Sequence, residues 1–591
     1  MKQFFGAFFG SCLGILVTGV VITLIVVFSV IGSVKEAVKM GEEKTFVTKE
    51  NAVLRIDLNG PIKDRGMRNP FGNLNLGPFA PKGNIGLNDI IANLQKAKKD
   101  PNVKGIYLEI SSPSAGFASL EEIRNALLDF KASKKFIYAY SEVYTQKAYY
   151  LASVADKVYL YPQGGMEIKG LSSQVMFYKK MLEKLNIEVQ IFRHGKFKSA
   201  IEPFMLDKMS DANRTQVETY LGSIWNQMLN GISAQRGVSV ADINTMADNM
   251  SVKSAEDAVS YKLVDALQYE DEVLATIRKK VGIGEKEKIN FVSLENYTKS
   301  LNTINNSKNK IAIIYASGEI NSGEGDENSI GSESLAKAIR DARQDDDVKA
   351  IVLRVNSPGG SALASDVIWR ETVLAKKAKP FIVSMGDVAA SGGYYISCAA
   401  DKIFAQPNTI TGSIGVFGII PNAQKALSEK LGITIDTVNT NKHSDVGTIL
   451  RGATTEEHAY IQQGVEHIYD VFITKVGEGR HMQKNNVDSI GQGRVWSGAD
   501  AIKINLVDEL GGLNDAVLYA VKAAKLKEYK TEDYPKRKDP IMELFGANAE
   551  DMETRAIKTK LGEHYIYIEQ IKRIMKLKGV QARLPYELII E

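Results

Sequence analysis

The amino-acid sequence predicts an α/β chain made of two tandem copies of one domain behind an N-terminal membrane segment. The repeat is explicit. Residues 103–113 read V-K-G-I-Y-L-E-I-S-S-P and residues 348–358 read V-K-A-I-V-L-R-V-N-S-P, an offset of 245 (348 − 103). F-I-Y-A-Y-S-E-V-Y-T-Q-K-A-Y-Y at 136–150 matches F-I-V-S-M-G-D-V-A-A-S-G-G-Y-Y at 381–395 at the same offset (381 − 136 = 245). K-L-N-I-E-V-Q-I-F-R-H-G-K-F-K-S-A at 184–200 matches K-L-G-I-T-I-D-T-V-N-T-N-K-H-S-D-V at 430–446 at an offset of 246 (430 − 184). Within each copy, short apolar runs alternate with helix-like segments, the pattern of a largely parallel sheet with crossover helices. A chain of 591 residues is too long for one hydrophobic core.

Taken in order, the elements begin with residues 4–34, a run of 31 without a charge. About 20 apolar residues span a bilayer. A cleaved leader has an apolar core of roughly 7–15 residues and a small-residue cleavage site, and no A-x-A pattern follows here. Residues 1–45 are therefore expected to be an uncleaved anchor. Lys2 stands on one side, and Lys35 and Lys39 with Glu36, Glu42 and Glu43 on the other, so the positive-inside rule is nearly silent on topology.

The first domain is expected over 46–298, opening with a strand at 52–58 that ends at Asn59-Gly60. A polar stretch, K-S-L-N-T-I-N-N-S-K-N-K at 299–310, reads as a linker. The second domain is expected over 311–530. Its strand at 311–315 is followed by a helix at 335–343, a buried strand at 350–355, a helix at 364–376, a strand at 381–385 and a small-residue helix from about Ala389. Residues 531–591 lie beyond the repeat. Their basic, amphipathic run I-K-R-I-M-K-L-K-G-V-Q-A-R-L-P-Y reads as a solvated helix packed on its own domain or a neighbouring subunit, with a membrane-surface contact as the alternative.

Composition excludes several classes. Apolar content of 44% and charged content of 24% are ordinary for a globular protein. The net charge of +4 is spread along the chain, with no basic block, so nucleic acid is not an expected partner. Cys12 and Cys398 lie in the anchor and the second domain and form no disulfide framework. No Cys/His cluster has metal-ligand spacing, and neither metal nor cofactor is expected.

The chemistry is legible where the copies differ. Ser391 faces Gln146 (391 − 146 = 245), and Lys198 faces Ser444 (444 − 198 = 246). A serine survives in one half and a lysine in the other, which is what a split Ser–Lys hydrolytic dyad would leave. Ser391 follows a predicted strand and opens a run of very small residues, G-D-V-A-A-S-G-G-Y-Y, that lets a peptide backbone approach. Lys198 lies in H-G-K-F-K-S-A-I-E-P-F; a lysine serves as base to a serine when burial keeps it neutral. Lys196 is a rival, but its counterpart Lys442 is also a lysine, so Lys196 reads as structural. Gly359-Gly360, in N-S-P-G-G, follows a strand and can aim backbone amides at a developing oxyanion, where one donor is worth roughly 3–4 kcal/mol of barrier. The first copy has Ser114-Ala115 there, having lost the glycines along with the serine.

F-K-S-A-I-E-P-F, N-S-P-G-G, D-V-A-A-S-G-G-Y-Y and T-G-S-I-G at 411–415 together resemble the long, tandem form of the bacterial signal peptide peptidases, the protease IV group of peptidase family S49. The resemblance runs from the anchor to about residue 530. It implies two tandem ββα superhelix domains of the Clp protease and crotonase type. It matches Ser391 to the nucleophile and Lys198 to the general base. It matches the amides around Gly359 or Gly360 and of Gly392 to the oxyanion donors, and Ser413 to a hydroxyl that orients the lysine. It further implies a homotetramer anchored in the bacterial inner membrane through residues 4–34, the bulk on the periplasmic side, with cleaved signal peptides and unfolded peptides as substrates. A crotonase-type acyl-CoA enzyme and a catalytically dead scaffold are the rival readings. The anchor and the retained Ser/Lys pair argue against the first, and the intact surroundings of both residues against the second.

Overall fold

The computed structural model describes residues 46–66, 85–300, 306–326, 328–535 and 580–584, with Thr18, Gly19 and Ile22. The expected anchor over 4–34, apart from those three residues, and the C-terminal extension at 536–579 and 585–591 lie outside the described residues. Among the described residues no helix is long and apolar enough to cross a membrane.

The repeat in the sequence is a repeat of sheet topology. In the first copy, six parallel strands lie in the order Ala266–Leu267, Lys157–Met166, Phe136–Tyr144, Val103–Glu109, Ala52–Asp57, Asn290–Ser293. In the second copy the corresponding parallel order is Glu509–Leu510, Lys402–Ala405, Phe381–Ala390, Val348–Ser357, Lys310–Ser317, Lys530–Tyr534. Central strands such as Val348–Ser357 carry a continuous apolar run because helices cover both faces, and Ile351, Val352 and Leu353 are fully buried. The helix Ser332–Gln344 lays Leu335, Ala338, Ile339 and Ala342 on this core at helical spacing. Its first-copy counterpart, Leu87–Lys99, does the same with Leu87, Ile90, Leu94 and Ala97.

Two expectations fail instructively. The strand from Phe381 continues to Ala390, and the helix behind it begins only at Gly392. Ala389 and Ala390 pair with Thr411 and Gly412 in the sheet, and both are fully buried. Their small size fits a crowded sheet position, which composition alone does not distinguish from a helix. Residues 580–584, inside the predicted amphipathic helix, are extended instead, with a strand at Gln581–Arg583. Pro585 disfavours helical backbone at the residue before it, and two strand edges are available to pair with the segment.

Those edges belong to a third sheet that neither copy builds alone. Its order is Gly325–Asp326, Ser329–Gly331, Glu319–Asn321, Gly359–Ser361, Gln581–Arg583, Phe417–Asn422, Glu188–Arg193. Glu188–Arg193, from the first copy, runs antiparallel to Phe417–Asn422 of the second, from Glu188↔Asn422 to Arg193↔Phe417. The second copy's counterpart of Glu188–Arg193, residues 434–439, forms no strand and is exposed.

A buried ionic cluster also joins the copies. Arg354, on the Val348–Ser357 strand, has no solvent exposure. Its Nε donates to Asp64 Oδ1 at 2.7 Å and its Nη2 to Glu122 Oε1 at 2.6 Å, both in the first copy. Nη1 donates to Ser384 Oγ at 2.9 Å. Asn356 Nδ2 donates to Asp64 Oδ2 at 2.8 Å, and the Leu513 N–H to Glu122 Oε2 at 3.0 Å. Burial raises the Glu122 pKa, and the neighbouring Arg354 opposes that rise. Beside this cluster, the Ser119 N–H and hydroxyl donate to Asp387 at 2.9 and 2.6 Å. Removing one member of such a cluster strands the rest. Arg354→Ala should lower stability by about 3–5 kcal/mol in chemical denaturation; a loss under about 1 kcal/mol, the range of an exposed pair, would contradict the assignment of this cluster as a buried joint.

Candidate active site

Ser391 sits at the join between the Phe381–Ala390 strand and the Gly392–Ser397 helix, with φ 54° and ψ −112°. A non-glycine residue held there carries strain on the order of 1–3 kcal/mol. Hydrogen bonds fix it: Ser391 N–H donates to Gly412 O at 2.8 Å, and Tyr395 N–H to Ser391 O at 2.8 Å. The residues that follow must be small. A Cβ on Gly392 would stand 2.6 Å from Ser365 Oγ, and one on Gly393 2.7 Å from Ser357 O.

Lys198 arrives from the other copy, just beyond Glu188–Arg193. Its backbone is clamped on three sides. The His194 N–H donates to Val416 O at 3.2 Å and the Phe197 N–H to Gln492 O at 2.9 Å. Gln216, on the Asp211–Arg236 helix, donates through Nε2 to Phe197 O at 3.2 Å and Ser199 Oγ at 3.0 Å. Its Oε1 accepts the Val495 N–H at 3.2 Å, tying the clamp back to the second copy. Gly493, at φ 80°, approaches so closely that a Cβ there would lie 2.6 Å from the Lys198 backbone.

The two chemistries meet. Lys198 Nζ is 2.9 Å from Ser391 Oγ, 3.1 Å from Ser413 Oγ and 3.3 Å from Ser413 O. Lys198, Ser391 and Ser413 are all wholly buried. No carboxylate pairs with Lys198 among the described residues, and burial alone drives its pKa well below the ordinary lysine value. A neutral amine offers a lone pair to the Ser391 hydroxyl and keeps N–H donors for Ser413. Ser413 is itself held at φ 48°, its N–H donating to Arg494 O at 2.7 Å.

Gly359 and Gly360 lie on the short strand just past Val348–Ser357. Gly359, at φ 98°, donates its N–H to Ser357 Oγ at 3.2 Å, which occupies that amide. Gly392 N would stand 2.7 Å from a Cβ on Gly359, so the two glycine backbones converge beside Ser391. Gly360 pairs with Ala582 on one side and Ile320 on the other.

The equivalent places in each copy have been put to other use. Gln146 fills the first copy's serine position: its Oε1 accepts the Lys169 and Gly170 N–H groups at 2.9 Å each, and its Nε2 donates to Gly170 O at 2.9 Å. Ser444, opposite Lys198, bonds Asn441 O within an exposed loop at 3.0 Å. Lys442 pairs with Glu456 on the surface, and Lys196 is exposed against the Phe197 ring. Among the described residues no histidine bonds Ser391 or Lys198. Sequence reading missed Gln216 and Gly493, whose roles are to position Lys198; a glutamine on a long helix and a glycine in a turn carry no signal of such contacts.

The fold of each copy and the single serine-centred site define the class: two tandem domains on a Clp-protease-like α/β fold, forming a serine peptidase. The sequence model of peptidase family S49 matches residues 129–284 and 374–527, and that of Clp protease matches 304–414. The chain is 36% identical over 551 residues to Protease 4 of Salmonella typhi, covering 90% of this chain and 89% of the relative. It is 36% identical over 498 residues to Protease 4 of Haemophilus influenzae, covering 81% and 80%. It is 33% identical over 486 residues to the chloroplastic serine protease SPPA of Arabidopsis thaliana, covering 81% and 70%. The chain belongs to peptidase family S49.

Burial of Lys198 sets a stability cost with a definite sign. Unfolded lysine holds its proton at neutral pH, whereas the folded pKa is depressed. The cost therefore shrinks as pH climbs toward the unfolded value near ~10.4 and grows as pH falls toward the folded value. Lys198→Met should keep or raise the thermal midpoint at neutral pH, with the advantage narrowing on the alkaline side. A midpoint well below the parent at neutral pH, recovering at neither extreme, would contradict a neutral buried amine.

Proposed function

We propose that this chain is a membrane-anchored serine endopeptidase that hydrolyses cleaved signal peptides and other unfolded, membrane-associated peptides. Ser391 is the nucleophile and Lys198 the general base. The single observation that carries this is the 2.9 Å contact between Lys198 Nζ and Ser391 Oγ inside a wholly buried site. Neutral Lys198 takes the hydroxyl proton as Ser391 Oγ attacks a peptide carbonyl. The amides of Gly360 and Gly392 receive the oxyanion, and Ser413 holds the lysine in line. Protonated Lys198 returns its proton to the leaving amine, and water then hydrolyses the acyl-serine by the same relay. No histidine is required.

The substrate class and the setting rest on the family resemblance and on the uncharged run at 4–34. On that reading the anchor lies in the bacterial inner membrane, four copies assemble on its periplasmic side, and an extended peptide enters as an added strand.

The test is peptide hydrolysis by the full chain in detergent, with three variants beside it. Ser391→Ala and Lys198→Ala should each lose activity by about a thousandfold or more, while Lys442→Ala stays near the parent. Comparable losses from Lys198→Ala and Lys442→Ala would overturn the one-lysine assignment. Because protonation removes the lone pair, kcat/KM should fall on the acid side through the depressed Lys198 pKa. A flat acid limb would rule out a lysine base.

A further inference from the structure

The turn 491–494 touches both Lys198 and Ser413, the serine that bonds its amine. Gln492 O accepts the Phe197 N–H at 2.9 Å, and a Cβ on Gly195 would stand 2.5 Å from that same oxygen. Gly493 packs on the Lys198 backbone, and its own N–H donates to Ile414 O at 2.7 Å. Arg494 O accepts the Ser413 N–H at 2.7 Å. One turn thus sets both the depth of the amine and the placement of its serine neighbour. Gln492 and Gly493 are consecutive left-handed residues, at φ 52° and 80°. Glycine takes such backbone freely, whereas glutamine holds it only where its surroundings over-determine it.

Tyr469 supplies that hold. It lies on the helix Thr455–Arg480 and is almost wholly buried. The Gln492 N–H donates to the Tyr469 hydroxyl at 3.1 Å, and the hydroxyl donates to Asp488 Oδ1 at 2.6 Å. Gln492 Nε2 reaches Asp488 Oδ2 at 3.4 Å. Burial, and then the bond to Asp488, raise the Tyr469 pKa, so the hydroxyl keeps its proton. The Tyr469 ring also stacks on His194, four residues before Lys198, with 3.8 Å between centroids and 21° between planes. Water stands close behind. An open cavity of about 780 Å³ is lined by His194, Glu466, Tyr469, Asp488 and Gln492, whereas Lys198 is wholly buried. Gln492 lines the cavity and its neighbour Gly493 packs on Lys198, so the turn is the partition between them.

We propose that Tyr469 and Asp488 are positioning residues for peptide hydrolysis: their hydrogen-bonded pair locks the Gln492–Gly493 turn, which holds Lys198 Nζ in line with Ser391 Oγ and keeps water from it. The proposal rests on the Ser391–Lys198 reading of the site. Neither residue touches the reacting atoms; both act through the turn. A ring that only filled the core would serve as well in phenylalanine. The hydroxyl, with one bond to the turn and one to Asp488, is what the proposal assigns.

The experiment measures hydrolysis of an unfolded reporter peptide across pH, with thermal unfolding of each sample, for the full chain in detergent. The variants are Lys198→Ala, Tyr469→Phe, Asp488→Ala and Asp488→Asn. Tyr149→Phe is the control, a buried first-copy tyrosine whose hydroxyl donates to Leu263 O at 2.7 Å. Tyr469→Phe should lower kcat at neutral pH by about tenfold to a hundredfold, the scale of a small misplacement of a reacting group, with KM near the parent's. Its acid limb in kcat/KM should move to higher pH, because an amine that water reaches recovers a higher pKa. Asp488→Ala should do the same. Asp488→Asn, whose amide oxygen still accepts the Tyr469 hydroxyl, should stay near the parent, as should Tyr149→Phe. A Tyr469→Phe chain that loses thermal stability but keeps the parent's kcat and acid limb makes Tyr469 a packing residue and overturns the proposal. So does an equal loss in Tyr149→Phe. If Tyr469→Phe fails to fold, Asp488→Ala decides: a raised limb that Asp488→Asn restores supports the proposal, and an unmoved limb overturns it. A parent that hydrolyses nothing, or whose hydrolysis survives Lys198→Ala, overturns the dyad reading and this proposal with it.

Discussion

Six residue pairs join Glu188–Arg193 of the first copy to Phe417–Asn422 of the second, and the active site hangs on that seam. The strand from the first copy ends at Arg193, and the chain turns immediately into the segment that carries Lys198. Because the pairing register is set by backbone hydrogen bonds, the lysine is delivered to one depth and one angle. Gln216 and Gly493 then remove the remaining freedom. Without the seam Lys198 would reach water, and the base proposed for Ser391 would be lost. The Arg354 cluster holds the two sheets in the relation that the seam requires, and it does so with groups that cannot be separated cheaply once buried.

This arrangement explains how a duplicated domain comes to hold one site. On the proposed dyad, a copy that supplies only the lysine has no use for a strained serine or for oxyanion glycines. In the first copy Gln146 satisfies the backbone groups around the vacated serine position with three hydrogen bonds, so the loss leaves no unpaired polar atoms there. A copy that supplies only the serine has no use for the lysine-bearing strand. In the second copy residues 434–439 stay exposed and form no strand, and Lys442 becomes an ordinary surface ion pair. Each loss is local and inexpensive, whereas the strain at Ser391 and the burial of Lys198 persist where they serve one another.

Much of this was legible in the chain. The offset of 245 to 246 forecast two copies of one sheet, and the reciprocal substitutions at Ser391/Gln146 and Lys198/Ser444 singled out the pair that the fold brings together. What stayed hidden depends on contacts between distant segments. Ala389 and Ala390 read as helix because small residues suit both a helix and a crowded sheet interior. The extended form of 580–584 was masked by a basic amphipathic pattern, since the edges that recruit it lie more than 150 residues away in sequence (580 − 422 = 158). That the Gly359 amide is taken up by the Ser357 hydroxyl is a contact that no spacing rule encodes.

The central claim is that one chain closes its own site by lending a lysine from its first copy to a serine in its second. Co-expression of Ser391→Ala and Lys198→Ala chains tests it most directly, with mixed oligomers isolated through two different tags and assayed for peptide hydrolysis. The account predicts no recovery, because each chain lacks one half of the only pair it can form. Recovery to a substantial fraction of the parent's activity would mean that Lys198 serves a neighbouring chain's serine, and would contradict a site closed within one molecule.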